Sequence, residues 1–474
     1  MKNSIAYLLL FALLTIGVSC SKDDGGTVTP EILVVAFENP SLSFDALDDQ
    51  KQINLVFSST PIESGIVTIA YTTDNTTYGD AEDFTTTPSG ASGEVVVAIT
   101  AASNTASFTF NKLKNALEGT TKSVTFSISS ISIPDAVSNG NTQLQVSFTE
   151  TAAIAGSIAP EVGGPNEGNQ VYVDLSSLSQ TAADRASWEL GFYSGDEFRV
   201  TLNGSIFMAA AKIDATDIDA VTAMDVETLQ PQVAVGTFDP DNMAFVDGVD
   251  GGLINTAIAE ISATDAENNV YLVNLGSEVG TDTPSEGSVD ISDDPRGWKK
   301  IRILRSGSDY VLQYADLDDT SHTEVTIPKV AGYHFNYFSF ATNNIVPVQP
   351  ESDKWDMNFT VFTNEISGFG SYGYSDFIVT NSLSNVAAYQ VETASTAYAD
   401  FVAANVDEAS FTTSQRAIGS GWRNGGGPGT LPSIKDEVFY ILKDADSNIY
   451  KIRFTALVDE SGVRGNPEFE FVLL

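Results

Sequence analysis

Residues 333–364 read YHFNYFSFATNNIVPVQPESDKWDMNFTVFTN: an aromatic strand pattern, a polar loop, and a second strand opened by Trp355-Asp356. Apolar and polar residues alternate on either side of the loop, the period of two that sends successive side chains to opposite faces of a strand. Residues 170–204 carry the same parts in the same order, with VYVDL from Val171, a polar loop, and WELGF from Trp188. The recurrence continues downstream. Copy one adds NNVYLVNL from Asn268, WKKIRILR from Trp298 and YVLQYADL from Tyr310. Copy two adds DEVFYILKD from Asp436, YKIRFTAL from Tyr450 and FEFVLL from Phe469. Two pairs of motifs tie the copies together: Trp188-Glu189 with Trp355-Asp356, and Lys300-Ile301-Arg302 with Lys451-Ile452-Arg453. Two tandem all-β units are expected, over residues 171–330 and 331–474.

Upstream, short runs such as INLVF from Ile53, IVTIAYTT from Ile66, EVVVAIT from Glu94 and QLQVSF from Gln143 are separated by Gly, Pro, Asn and Asp. They predict a β-sandwich over residues 31–152. Residues 153–170, rich in Gly and Pro and without periodicity, read as a linker. Helical signal is sparse. Tyr398, Phe401, Val402, Asn405, Val406 and Ala409 fall at helical spacing and predict one short amphipathic helix within residues 395–411; residues 214–224 have room for a turn or two more.

The first residues give the expected location. Lys2, an apolar run from Ile5 to Val18 and the small-residue TIGVSC are read as a signal peptide over residues 1–19, too short for a membrane span. Cys20, the sole cysteine, is the expected lipidation site, anchoring the chain to the outer membrane at the cell surface. Residues 20–30 form an acidic linker. Sixty-three acidic residues against 23 basic ones give a net charge of −40, which repels phosphate backbones and anionic headgroups and argues against nucleic-acid binding.

Two resemblances follow from these motifs. YTTDNTTYGDAEDFTTTP from Tyr71 and ALEGTTKSVTFSI from Ala116 resemble the Calx-β domain, which implies calcium held by acids at one end. The acids to test are Glu38, Asp80, Asp83 and Glu118, although without a compact Asp-x-Asp-x-Asp-Gly loop a plain spacer is preferred. The order YFSF, WDM and VFYILKDADSNIYKIRFTAL resembles the HmuY family of haem-binding surface lipoproteins, with a weaker copy over residues 169–317. That resemblance implies haem capture and delivery to an outer-membrane receptor driven by TonB, without catalysis.

Haem iron takes His, Met, Cys or Tyr. The family's ligand pair, two His or two Met, falls in the interval that here runs from Phe359 to Lys435, which holds no His, Met or Cys. The matching interval of copy one carries Met208, Met224 and Met243, the candidates for a ligand pair, against the ordinary use of Met to fill a core. Trp422 and Arg423 in the glycine-rich IGSGWRNGGGPGT, with Tyr372 and Tyr374, are the candidates for a pocket that closes over a flat ligand. His322 and His334 read as a surface and a packed histidine. GFGSYG from Gly368 matches a dinucleotide pattern but precedes a strand, so that reading fails. No nucleophile elbow, zinc helix or phosphate loop occurs, and the chain reads as a non-enzyme. If the ligand pair is lost, the alternative is an adhesion or assembly module that binds a protein partner.

Overall fold

A computed structural model describes residues 32–44, 48–80, 82–114, 116–117, 121–148, 151–426 and 430–474. The expected signal peptide, Cys20 and Glu118 lie outside the described residues. The fold is all-β, with two five-stranded sheets in the N-terminal sandwich, further sheets beyond it, and only short helical turns. In the sandwich, Phe44, Phe84, Phe108, Phe110, Phe126 and Phe148 interdigitate with aliphatic side chains of both sheets, as the alternation requires.

The two repeat copies exchange strands. The first strand of copy one, Asn169–Asp174, pairs not with its own Leu190–Tyr193 but with Met357–Ile366 of copy two. Reciprocally, Phe335–Ser339 of copy two pairs with Leu190–Tyr193 of copy one. Each pairing builds a four-stranded sheet, one ordered Ser179–Asp184, Asn169–Asp174, Met357–Ile366, Gly370–Thr380, the other Val200–Leu202, Leu190–Tyr193, Phe335–Ser339, Asn344–Val346. A five-stranded sheet closes over each, and two separate cores result. In the five-stranded sheet of copy one, Asp309–Ala315 is flanked by the following strand Thr323–Ile327. In that of copy two, the corresponding last strand Arg464–Leu473 is flanked by Ala155–Ile158, which precedes copy one. Part of the expected linker is thus a strand, and it covers an edge of Arg464–Leu473 that would otherwise be unpaired.

Equivalent hydrogen bonds fix the correspondence of the copies. Glu189 N–H donates to Phe338 O (3.0 Å) and Asp356 N–H to Val173 O (2.8 Å). Asn203 Nδ2 donates to Arg185 O and Trp188 O; Asn381 Nδ2 donates to Ser352 O and Trp355 O. The repeated Lys-Ile-Arg acts alike in both copies: buried Lys300 donates to the carbonyls of Val221 and Asp319, and Lys451 to those of Tyr398 and Phe401, each clamping a long interval onto its sheet.

Residues 395–411 correct the expected helix. They form three 3₁₀ turns, Tyr398–Asp400, Ala403–Asn405 and Glu408–Ser410. Asn405 Oδ1 accepts from Val402 N–H and Asp407 Oδ1 from Ala409 N–H, and these local bonds compete with helical ones while Lys451 draws off two carbonyls. Further upstream, residues 218–226 hold the turn Ile218–Ala220 and the short helix Ala223–Val226.

Candidate binding cleft

Three of the four residues expected to form a pocket come together. Tyr372 and Tyr374, alternate residues of the Gly370–Thr380 strand, and Arg423 line an open cleft of about 840 Å³, with Phe207, Val235, Ile291 and Pro295 from copy one on the other side. The tyrosine rings stand perpendicular, 6.0 Å apart, and Phe238 packs 5.7 Å from Tyr372. Trp422 does not reach the cleft. It is 1% exposed, donates Nε1–H to Asp376 O (3.1 Å) and stacks on Phe454 at 4.4 Å, anchoring the loop that delivers Arg423.

The cleft floor is cationic. Asp376 is a single carboxylate shared by two guanidiniums: Arg464 donates to its Oδ2 through Nε (2.8 Å) and Nη2 (2.5 Å), and Arg423 Nε lies 3.1 Å from the same oxygen. Arg423 Nη2 donates to Ser375 O. Beneath them, buried Glu167 accepts from Asp376 N–H through both oxygens. Burial first, and the Asp376 charge second, push the Glu167 carboxyl well above its ordinary range, which weakens it as a counter-charge. Two guanidiniums thus meet around one carboxylate at the base of a cleft in a strongly acidic chain.

Sequence reasoning missed Arg464 and Asp376. A lone Arg opening the last strand of a chain with only 23 cations was the available signal; its partner lies 88 positions away and only the fold joins them.

The methionines do not line this cleft. Met224 is 86% exposed on the Ala223–Val226 helix. Met243 is half-buried on the Pro240–Phe245 turn, beside Asn242, whose Oδ1 accepts from Ser371 N–H next to Tyr372. Met208 is buried and lines a second, smaller cavity, as does His334, whose Nε2 bonds Ser384 Oγ at 2.8 Å and whose pKa burial lowers. His322 Nδ1 pairs with Asp219 at 2.9 Å. In the sandwich, Asp83 is engaged by Lys122 and by Thr77 N–H, Glu38 accepts from Asn54, and Asp80 is exposed. No group of three or more His, Cys, Asp or Glu suited to a metal ion occurs among the described residues. No helix among them is long and apolar enough to cross a membrane.

A family model described as HmuY protein matches residues 166–305 and again 333–471. Among solved structures, the apo-form Calx CBD1 domain is 12% identical, covering 25% of this chain and 96% of its own, with a TM-score of 0.20. The calcium-binding domain pair CBD12 of CALX1.1 is 9% identical over 59% of this chain and 79% of its own, TM-score 0.20. A two-domain protein of unknown function from Bacteroides fragilis is 9% identical over 66% of this chain and 91% of its own, TM-score 0.20. No curated protein matches the chain.

Proposed function

The chain belongs to the HmuY family, a family of haem-binding surface proteins, and from that premise we propose that it holds haem or a related flat, anionic macrocycle in the cleft between its two copies. The observation that carries this reading is the Arg423–Asp376–Arg464 triad at the cleft floor. A planar guanidinium meets a carboxylate with two parallel N–H donors, and two guanidiniums gathered on one shared carboxylate are the groups that would meet propionates. Tyr372 and Tyr374 supply aromatic walls and phenol oxygens, a ligand type that haem iron accepts. Apolar side chains of copy one cover the opposite face. In this reading lipid attached at Cys20 holds the protein at the outer-membrane surface, where it passes its ligand to a receptor in the same membrane.

Titration of the mature protein with haemin tests the proposal. A Soret shift with micromolar or tighter affinity is expected. Arg423→Gln should weaken it about tenfold or more, the loss of a charge-assisted hydrogen bond worth ~1.5–3 kcal/mol, and Tyr374→Phe should alter the spectrum if that phenol meets the iron. A spectrum that changes only in Met224→Ala/Met243→Ala would place the iron on copy one's interval instead. No shift in either redox state sinks the haem reading and leaves the protein-adhesion module.

A further inference from the structure

The smaller cavity, about 190 Å³, lies between the two four-stranded sheets, where the copies exchange strands. Trp188 against Tyr337 (4.6 Å) and Trp355 against Tyr172 (5.1 Å) frame it as two equivalent edge-to-face pairs, each joining one copy to the other. Its polar groups are not equivalent. Trp188 Nε1–H donates to Gln170 Oε1 at 3.0 Å. By the strand correspondence the position of Gln170 is taken in copy two by Phe335, and Trp355 Nε1 has no partner. Asn358 stands where copy one has Gly191, and its Oδ1 is also unpartnered. Gln349 uses Oε1 to accept from Tyr337 but leaves Nε2 without a partner. Asn381, whose Nδ2 is engaged, likewise leaves Oδ1 without a partner, and all four side chains are more than nine-tenths buried and line the cavity. Each such group left bare costs about 1–3 kcal/mol, so four at one void call for an occupant.

The lining specifies what that occupant is. Two donors, Trp355 Nε1 and Gln349 Nε2, and two acceptors, Asn358 Oδ1 and Asn381 Oδ1, all neutral, lie among the aromatic pairs. The charged side chain of the lining, Asp247, has both oxygens engaged by Leu202 N–H (2.7 Å) and Ala257 N–H (2.9 Å). Gly251, Gly252, Leu253, Ser382 and Leu383 line both this cavity and an open surface groove, giving a way in, and Asp196, Glu197 and Asp250 at the groove disfavour anions. The volume suits one small ring or on the order of six waters. We propose that this cavity is a binding site for a neutral, hydroxyl-rich ligand of monosaccharide size, hydrogen-bonded to Trp355, Gln349 and Asn358 between the aromatic pairs.

The site is separate from the haem cleft and does not depend on it. Calorimetry and saturation-transfer NMR on the full mature protein, with D-glucose, D-galactose and N-acetyl-D-glucosamine as probes and D-glucuronate as the charged control, test it. Saturable binding of at least one neutral sugar at millimolar or lower concentration is expected, with glucuronate at least tenfold weaker. Asn358→Ala should weaken binding at least tenfold. Trp355→Phe, which keeps the ring and removes the N–H, should weaken it about threefold to tenfold. Haemin titration of both variants should be unchanged. A melting temperature for Trp355→Phe no lower than the parent's guards against misfolding. Saturation by no probe, equal binding of glucuronate, sugar affinity indifferent to both substitutions, or a soaked crystal holding only water in the cavity would each overturn the proposal, whatever the haem titration shows.

Discussion

Copy one and copy two share a frame and differ in how its buried polar groups are satisfied. Glu189 and Asp356 occupy the same position, and each accepts a backbone N–H, from Phe340 (2.7 Å) and Leu175 (2.8 Å) respectively. Beyond that they diverge. Glu189 is paired with Arg296, which also reaches Glu278 and Ala186 O. Asp356 has Asp174 and Asp444 for neighbours. The same divergence recurs at the tryptophans, with Gln170 serving Trp188 and nothing serving Trp355. It recurs again at the equivalent asparagines, where Asn203 Oδ1 is held by the Ser205 hydroxyl and Ser205 N–H but Leu383 takes the place of Ser205 and Asn381 Oδ1 has no partner. At these positions copy one satisfies its buried groups. Copy two keeps open valences at the interface, which is where a duplicated frame can acquire a ligand without losing its fold.

The largest test of that difference is at the acids. Arg296→Met should strand Glu189, 1% exposed in its side chain, as an uncompensated buried charge and cost about 3–5 kcal/mol in urea denaturation. If the loss is under about 1 kcal/mol, the pair is dispensable and the two copies are alike in this respect.

A smaller effect of opposite sign is expected at the matching position of copy two. Burial, then the charges of Asp174 and Asp444, push the Asp356 carboxyl well above its ordinary range. Burial likewise raises Asp444 to about 7 and Asp446 to about 6. For an acid whose folded pKa exceeds its unfolded one, the folded state binds the proton more tightly. Stability therefore falls as pH rises, from the unfolded value near 4 through the raised folded value of each acid, about 6 for Asp446 and about 7 for Asp444. Asp356→Asn keeps the acceptor for Leu175 N–H and removes the charge. It should raise the melting temperature at pH 8, change it little at pH 5, and flatten the profile between them; a variant less stable than the parent at pH 8 would show that the carboxylate is compensated.

Much of the frame was legible in the sequence because it is written in strand-period apolar residues and in Trp-acid and Lys-Ile-Arg landmarks. These mark which strands exist and their order within each copy. They say nothing about the exchange, since Asn169–Asp174 presents the same alternation to either copy's second strand, and long-range pairing is decided by the turns and cores around it. At the cleft, Arg423, Tyr372 and Tyr374 were legible as aromatic and cationic residues near glycines. Trp422 was misplaced because a Trp in a glycine-rich loop reads the same whether it covers a ligand or plugs a core. The four unpartnered groups of the inner cavity could not be read at all: each is ordinary by type, and its meaning comes from the residue missing opposite it.

That last point can be made reciprocal. Gln170→Leu should recreate in copy one what copy two already has, a Trp N–H without a partner, at a cost of about 1–3 kcal/mol. Phe335→Gln should do the reverse, giving Trp355 Nε1 an acceptor where Phe335 now stands and filling part of the cavity's hydrogen-bonding capacity from within. The single Gln170→Leu exchange should be destabilising in thermal melts, and the Phe335→Gln exchange should weaken any sugar binding about as much as Trp355→Phe does. If Phe335→Gln leaves that binding intact, the Trp355 N–H is not what the ligand meets, and the asymmetry of the copies at this position is one of packing alone.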